Sequence, residues 1–154
     1  MLILTDASNI IFSAISPGTS SRGSKLDIAY LEFTTGPAVT PPEIDPETSA
    51  AYYAGLAASP DRDYLRCPVM SHTLGRTPAG KPKLTVQIVS DGEIGVHGKP
   101  FSAGAKIYGI ALASAKSDNP EEDLFFGRHY YETTAQIEKP SSGGVMVSFD
   151  LLLS

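Results

Sequence analysis

Four strand-like runs in the C-terminal half constrain this chain most: LTVQIV (84–89), AKIYGIALASA (105–115) and VMVSFDLLL (145–153), which alternate, and LFFGRHYYET (124–133), which has apolar residues on both faces. A period of two is the mark of a strand. The loops between them are too short for crossover helices, except 90–104, so neighbouring strands pair antiparallel. LTVQIV puts Leu84, Val86 and Ile88 on one face. VMVSFDLLL puts Val145, Val147, Phe149, Leu151 and Leu153 on one face.

The run 105–115 has two unequal faces. Strict alternation places Lys106, Tyr108, Ile110 and Leu112 on one, and Ile107, Gly109, Ala111, Ala113 and Ala115 on the other. Something approaches the small face so closely that it admits mostly Gly and Ala. Two candidates are open: a further layer of the same domain, or a second subunit.

Upstream, LDIAYLEFTT (26–35) reads as a strand with apolar residues on both faces, hence central or sandwiched. YLRCPVMSHTL (64–74) is a strand that Pro68 assigns to an edge or a bulge. Two helices precede or separate these strands. TDASNIIFSAI (5–15) has Thr5 or Asp6 as cap and an apolar stripe of Ala7, Ile10, Ile11, Ala14 and Ile15. Asp45-Pro46-Glu47 opens a second helix over roughly 46–58, with Tyr52, Tyr53 and Leu56 as its large residues. Between them, GPAVTPPEIDP (36–46) is a Pro-rich extended arm that must lie on something. The expected fold is mainly β (α+β): one domain over 1–154, an antiparallel β-sandwich with one or two N-terminal helices and the 36–46 arm.

Composition excludes some classes. The net charge is −5 and Lys and Arg never form a run, so no footprint for nucleic acid or for an anionic membrane exists. No window has the length of a membrane span, and Met1–Leu4 runs straight into Thr5-Asp6, without the pattern of a secretory leader. The single cysteine, Cys67, forms no intrachain disulfide and reads as a small buried hydrophobe.

Catalytic and metal signatures are equally thin. His72, His97 and His129 lie on three different elements without metal-ligand spacing. Asp61 and Asp63 flank Arg62 in a turn, without the twelve-residue calcium-loop pattern, and read as solvated. Glu121, Glu122 and Asp123 read as a solvated charge run. DGEIGVHGK (91–99) imitates a phosphate loop but lacks GxxxxGK[ST] and a following helix. No enzyme chemistry, cofactor or metal is expected from these residues.

Other features point to assembly. Charged residues are only 19% of the chain, and the C-terminal strand is apolar through Leu151, Leu152 and Leu153. Pro37, Pro41 and Pro42 of the arm, Gly109, Ala111 and Ala113 of the small face, and Leu151, Leu152 and Leu153 are the candidate interface residues.

The order of segments resembles a known family. An LTDASNIIFSAI-type helix leads to LDIAYLEFTTG, then to Arg66-Cys67-Pro68-Val69, Gly109-Ile110-Ala111-Leu112 and a closing strand. This layout is similar to the N-terminal attachment domain of bacteriophage tail-collar fibre proteins. The resemblance implies a noncatalytic virion protein, assembled in the host cytoplasm, that fixes tail fibres to the baseplate or tail as a homotrimeric adaptor. Its partners would be copies of itself and neighbouring tail or fibre proteins. Such fibre proteins continue into a shaft and a receptor-binding tip, whereas this sequence stops at Ser154. An attachment role is therefore expected rather than receptor binding. A head-decoration or head–tail connector protein would share the composition. A carbohydrate-binding module, with Tyr52, Tyr53, Tyr130 and Tyr131 stacking on sugars, is the alternative of another class; the absence of tryptophan weighs against it.

Overall fold

The computed structural model describes residues 26–41, 49–90 and 92–152. The helix expected over 5–15, Pro42, the start of the second helix and Leu153 lie outside the described residues. Among the described residues, seven strands and one α-helix run in the order β1 (Ile28–Thr34), α1 (Ser49–Ala58), β2 (Arg62–Arg76), β3 (Pro82–Ser90), β4 (Lys106–Ser114), β5 (Leu124–Tyr130), β6 (Ile137–Glu138) and β7 (Val145–Leu152). All pairings are antiparallel, in the order β5-β4-β1-β2-β3-β7, with β6 also on β4.

The long strand β2 serves two neighbours in succession. Arg62 to Pro68 pair with β1, and Val69 to Arg76 pair with β3. Pro68 stands at the handover, and the register shifts between Val69 and Ser71 just beyond it. A proline donates nothing to a ladder, so the point where one partner ends and the next begins is where it is tolerated. The expected bulge is therefore present, but β2 is an interior strand rather than an edge.

Both edges of β1 are paired, to β4 and β2, and its two faces are buried in two separate clusters. Ala29, Leu31 and Phe33 join one apolar cluster with Leu65 and Cys67 of β2, Leu84, Val86 and Ile88 of β3, Ile110 and Leu112 of β4, and Val145 and Val147 of β7. The inward residues of β3 and of the first half of β7 are thus those that alternation selects. Cys67 is buried there. The opposite face carries a second cluster: Tyr30, Tyr64, Tyr108, Ala111 and Ala113, covered by Tyr53 and Leu56 of α1.

Strict alternation fails in β4 at one place. Glu32 pairs with Gly109 while the adjacent Phe33 pairs with Ile107, so Tyr108 is the extra residue of a bulge. Parity reverses there. Ile107 shares the first cluster with Ile110 and Leu112, and Tyr108 shares the second with Ala111 and Ala113. The grouping of Tyr108 with Ile110 and Leu112, and of Ile107 with the alanines, is corrected accordingly.

Candidate functional site

The small face of β4 is filled from within the chain. Gly109, Ala111 and Ala113 stand opposite Glu32, Tyr30 and Ile28 of β1 on one side, and Gly109 and Ala111 opposite Tyr130 and Arg128 of β5 on the other. Large side chains from both neighbours lean over the small ones. A Cβ on Gly109 would lie 2.6 Å from Glu32 Oε2 and 3.0 Å from the Tyr130 ring. Tyr30 stacks on Tyr53 at 5.0 Å and on Phe125 at 5.1 Å, between ring centroids. Gly109, Ala111 and Ala113 are consequently buried under the chain's own helix and aromatic side chains.

Charged groups lie inside this aromatic layer. The Glu32 carboxylate is fully buried and its Oε1 is 3.3 Å from Arg128 Nε. The Arg128 guanidinium also sits 4.9 Å from the Phe125 ring centroid. An acidic group and a cation buried among aromatic rings compensate each other's desolvation. Burial, reinforced by the Glu32 charge, raises the Tyr53 hydroxyl pKa well above the ordinary phenol value. Tyr53 is only 2% exposed, so it offers no surface for stacking a sugar.

A second buried carboxylate, Asp123, ends the acidic run that the sequence suggests is solvated. Arg66 grips it through Nε at 2.7 Å and Nη2 at 2.9 Å, and the Tyr30 hydroxyl donates to it. Burial, and after it the charge of Asp27, pushes the Asp123 carboxyl up to about 7. The Arg66 fork opposes this rise, since a cation favours the ionised form. Glu121 and Glu122 remain exposed in the short 3-10 turn Pro120–Glu122.

The third buried carboxylate explains the glycine-rich excursion. Asp63 accepts from the backbone amides of Tyr64 at 2.7 Å, His97 at 3.0 Å and Lys99 at 3.1 Å. His97 Nδ1 is a further 3.0 Å neighbour. Amides of the 91–99 segment thus do surround an anion, but the anion is the chain's own. Gly95 lies against that carboxylate, where a Cβ would collide with it, and Gly98 turns the loop at φ +80°. The same loop sends Lys99 Nζ to the carbonyls of Leu56, Ser59 and Arg62, which caps the C-terminal end of α1. Asp63 is therefore a structural anchor and not part of a solvated turn. Burial, and after it the Asp63 charge, pushes the Tyr64 hydroxyl up to about 12.

The outer surface is simpler. Thr85, Gln87, Ser148 and Asp150 mark the outward face of β3 and β7, with Thr85 Oγ1 donating to Asp150 at 2.6 Å. That bond, with Lys83 beside it, holds the Asp150 carboxyl below its usual value. Among these polar groups stand Met146, 66% exposed, and its cross-strand partner Val89, 40% exposed. β7 ends the strand order: it pairs with β3 on one edge, and no strand among the described residues pairs with the other. Leu151 and Leu152 lie in this strand opposite Leu84 and Lys83.

The described part of the Pro-rich arm rests on its own chain. The side-chain amide of Gln136 accepts from Val39 N at 3.3 Å and donates to Val39 O at 2.6 Å, as a strand neighbour would. Pro37 is exposed and Pro41 half-buried on either side of the buried Val39. His72, His97 and His129 remain apart, and no group of metal-ligating side chains exists among the described residues. The sequence missed Glu32, Asp63, Asp123 and Arg128. The one legible signal was Glu32 itself, a lone carboxylate in the middle of an apolar strand.

Comparison with protein-family models, with curated proteins and with solved structures finds no match for this chain.

Proposed function

We propose that this chain is a noncatalytic structural virion protein, an oligomeric adaptor that attaches tail fibres to the phage baseplate or tail. The observation that carries this reading is β7. It is a strand of eight residues without proline, with one edge unpaired among the described residues and the exposed Met146–Val89 pair beside that edge. A long bare edge beside apolar surface is a template for another chain. The exposed Pro37 and half-buried Pro41 add a second surface with few charges. The segment order that resembles tail-collar attachment domains supplies the biological setting and the expected threefold assembly. In this reading β3 and β7 form the second layer of a sandwich over β1 and β4, so the contact surface belongs to a rigid layer.

The test is the mass of the purified chain by light scattering after size exclusion, over a concentration series. A trimer is expected, and the Val89→Lys/Met146→Lys double variant is expected to dissociate it while keeping its far-ultraviolet circular dichroism. A protein that stays monomeric at every concentration, or a variant that still forms the same oligomer, overturns the assignment of this surface.

A further inference from the structure

A second lysine offers a contrast to Lys99. Lys139 is nine-tenths buried, at 9% exposure. Its ammonium donates to Gly143 O at 3.1 Å and, at the limit of hydrogen-bond length, to Pro140 O at 3.5 Å. The Phe101 ring centroid is 5.6 Å away. Lysine has three N–H donors. Lys99 directs its ammonium to three carbonyls, whereas Lys139 has two. No ion pair joins Lys139 to a carboxylate among the described residues. A buried charge without a counter-ion is costly.

Lys139 also lines an open cavity of about 370 Å³ between the 92–105 excursion and the β6–β7 turn. That volume suits a small molecule. Phe101 and Ile94 supply apolar walls, Ser102 and Ser141 supply hydroxyls, and Glu93 stands on the lining as well. The walls are fixed: Phe101 N donates to Glu93 O at 2.7 Å, Gly104 N to Lys139 O at 3.1 Å, and Lys139 N to Ala105 O at 2.8 Å. No carboxylate of the lining reaches the Lys139 ammonium, whose third hydrogen has no acceptor among the described residues; Glu93 is the one acidic side chain on the lining. What the cavity tolerates poorly is a second negative charge, because of Glu93.

We propose that this cavity binds a compact monocarboxylate, with its carboxylate on Lys139 and the serine hydroxyls and its uncharged remainder on Phe101 and Ile94. The site is independent of the assembly surface on β7.

The experiment is a titration of the full chain followed by ¹H–¹⁵N correlation spectra at constant ionic strength. Propionate is the probe, and propionamide and malonate are the controls. Propionate should shift the amides of 93–94, 101–104 and 139–143 saturably, with dissociation on the order of millimolar for so few atoms. Propionamide should not, and malonate should bind more weakly. Lys139→Met should weaken propionate at least about tenfold. Glu93→Gln should remove the discrimination against malonate. Equal shifts with propionate and propionamide, shifts that never saturate, or a Lys139→Met protein that binds unchanged would overturn the proposal. If Lys139→Met does not fold, the amide control and the Glu93→Gln comparison still decide it.

Discussion

The two halves of the strand order handle burial in opposite ways. β3 and β7 alternate: Leu84, Val86, Ile88, Val145 and Val147 point inward, and Thr85, Gln87 and Ser148 outward. β1 and β4 are buried on both faces, and the second face holds Glu32, Arg128, Tyr30, Tyr108 and Tyr130. The inner face of the first region is packed from apolar side chains, and such packing is forgiving of shape. The second depends on each charge keeping its partner, which is not forgiving.

The sharpest way to break this contrast is Arg128→Ala. It leaves the Glu32 carboxylate buried without its cation, and should cost about 3–5 kcal/mol in urea unfolding. The Glu32→Leu/Arg128→Met double variant should recover most of that loss. If the single variant is no worse than a core truncation such as Val86→Ala, the two regions do not differ in the way argued.

Asp63→Ala comes next. Three backbone amides lose their acceptor, so a loss of about 2–4 kcal/mol is expected. Hydrogen exchange at His97 and Lys99 should rise more than elsewhere. Uniform exchange across the chain would deny the loop its separate anchor. Gly109→Ala is milder, at about 1–3 kcal/mol, because the added methyl must displace Glu32 or Tyr130. Its cost should shrink in a Glu32→Ala background.

The effect most open to cancellation is a dependence on pH. A carboxyl held at about 7 when folded and 3.8 when unfolded binds its proton more tightly in the native state. Its contribution is fully present below about pH 4 and is lost as pH rises through 7. Melting temperatures should therefore fall from pH 5 to pH 8 more in the native protein than in Asp123→Asn. An equal slope in both would show that the Arg66 fork cancels the effect of burial.

The same contrast decides what was legible in the sequence. β3 and β7 follow from alternation, because one face is wet and each residue reports its own side. The two-faced burial of β1 was legible from its apolar residues, and so was its interior place. The bulge at Tyr108 was not, because a bulge exists only relative to a partner's register. Asp63 looked solvated because its ligands lie more than thirty residues away, at His97 and Lys99. Asp123 was hidden by its exposed neighbours Glu121 and Glu122. The short β6 carries too few residues for any period to show.

The Asp63 anchor also governs where the chain will accept foreign sequence. The 92–98 and 77–81 segments are both glycine-bearing surface turns, and either invites the grafting of an epitope tag. In the first, the insertion would separate amides that converge on one carboxylate, and Lys99 would leave the end of α1. In the second, Thr77 and Lys81 close the turn on each other, and residues 78–81 are exposed. A tag placed beside Gly80 is carried by the fold, and one placed beside Val96 dismantles it.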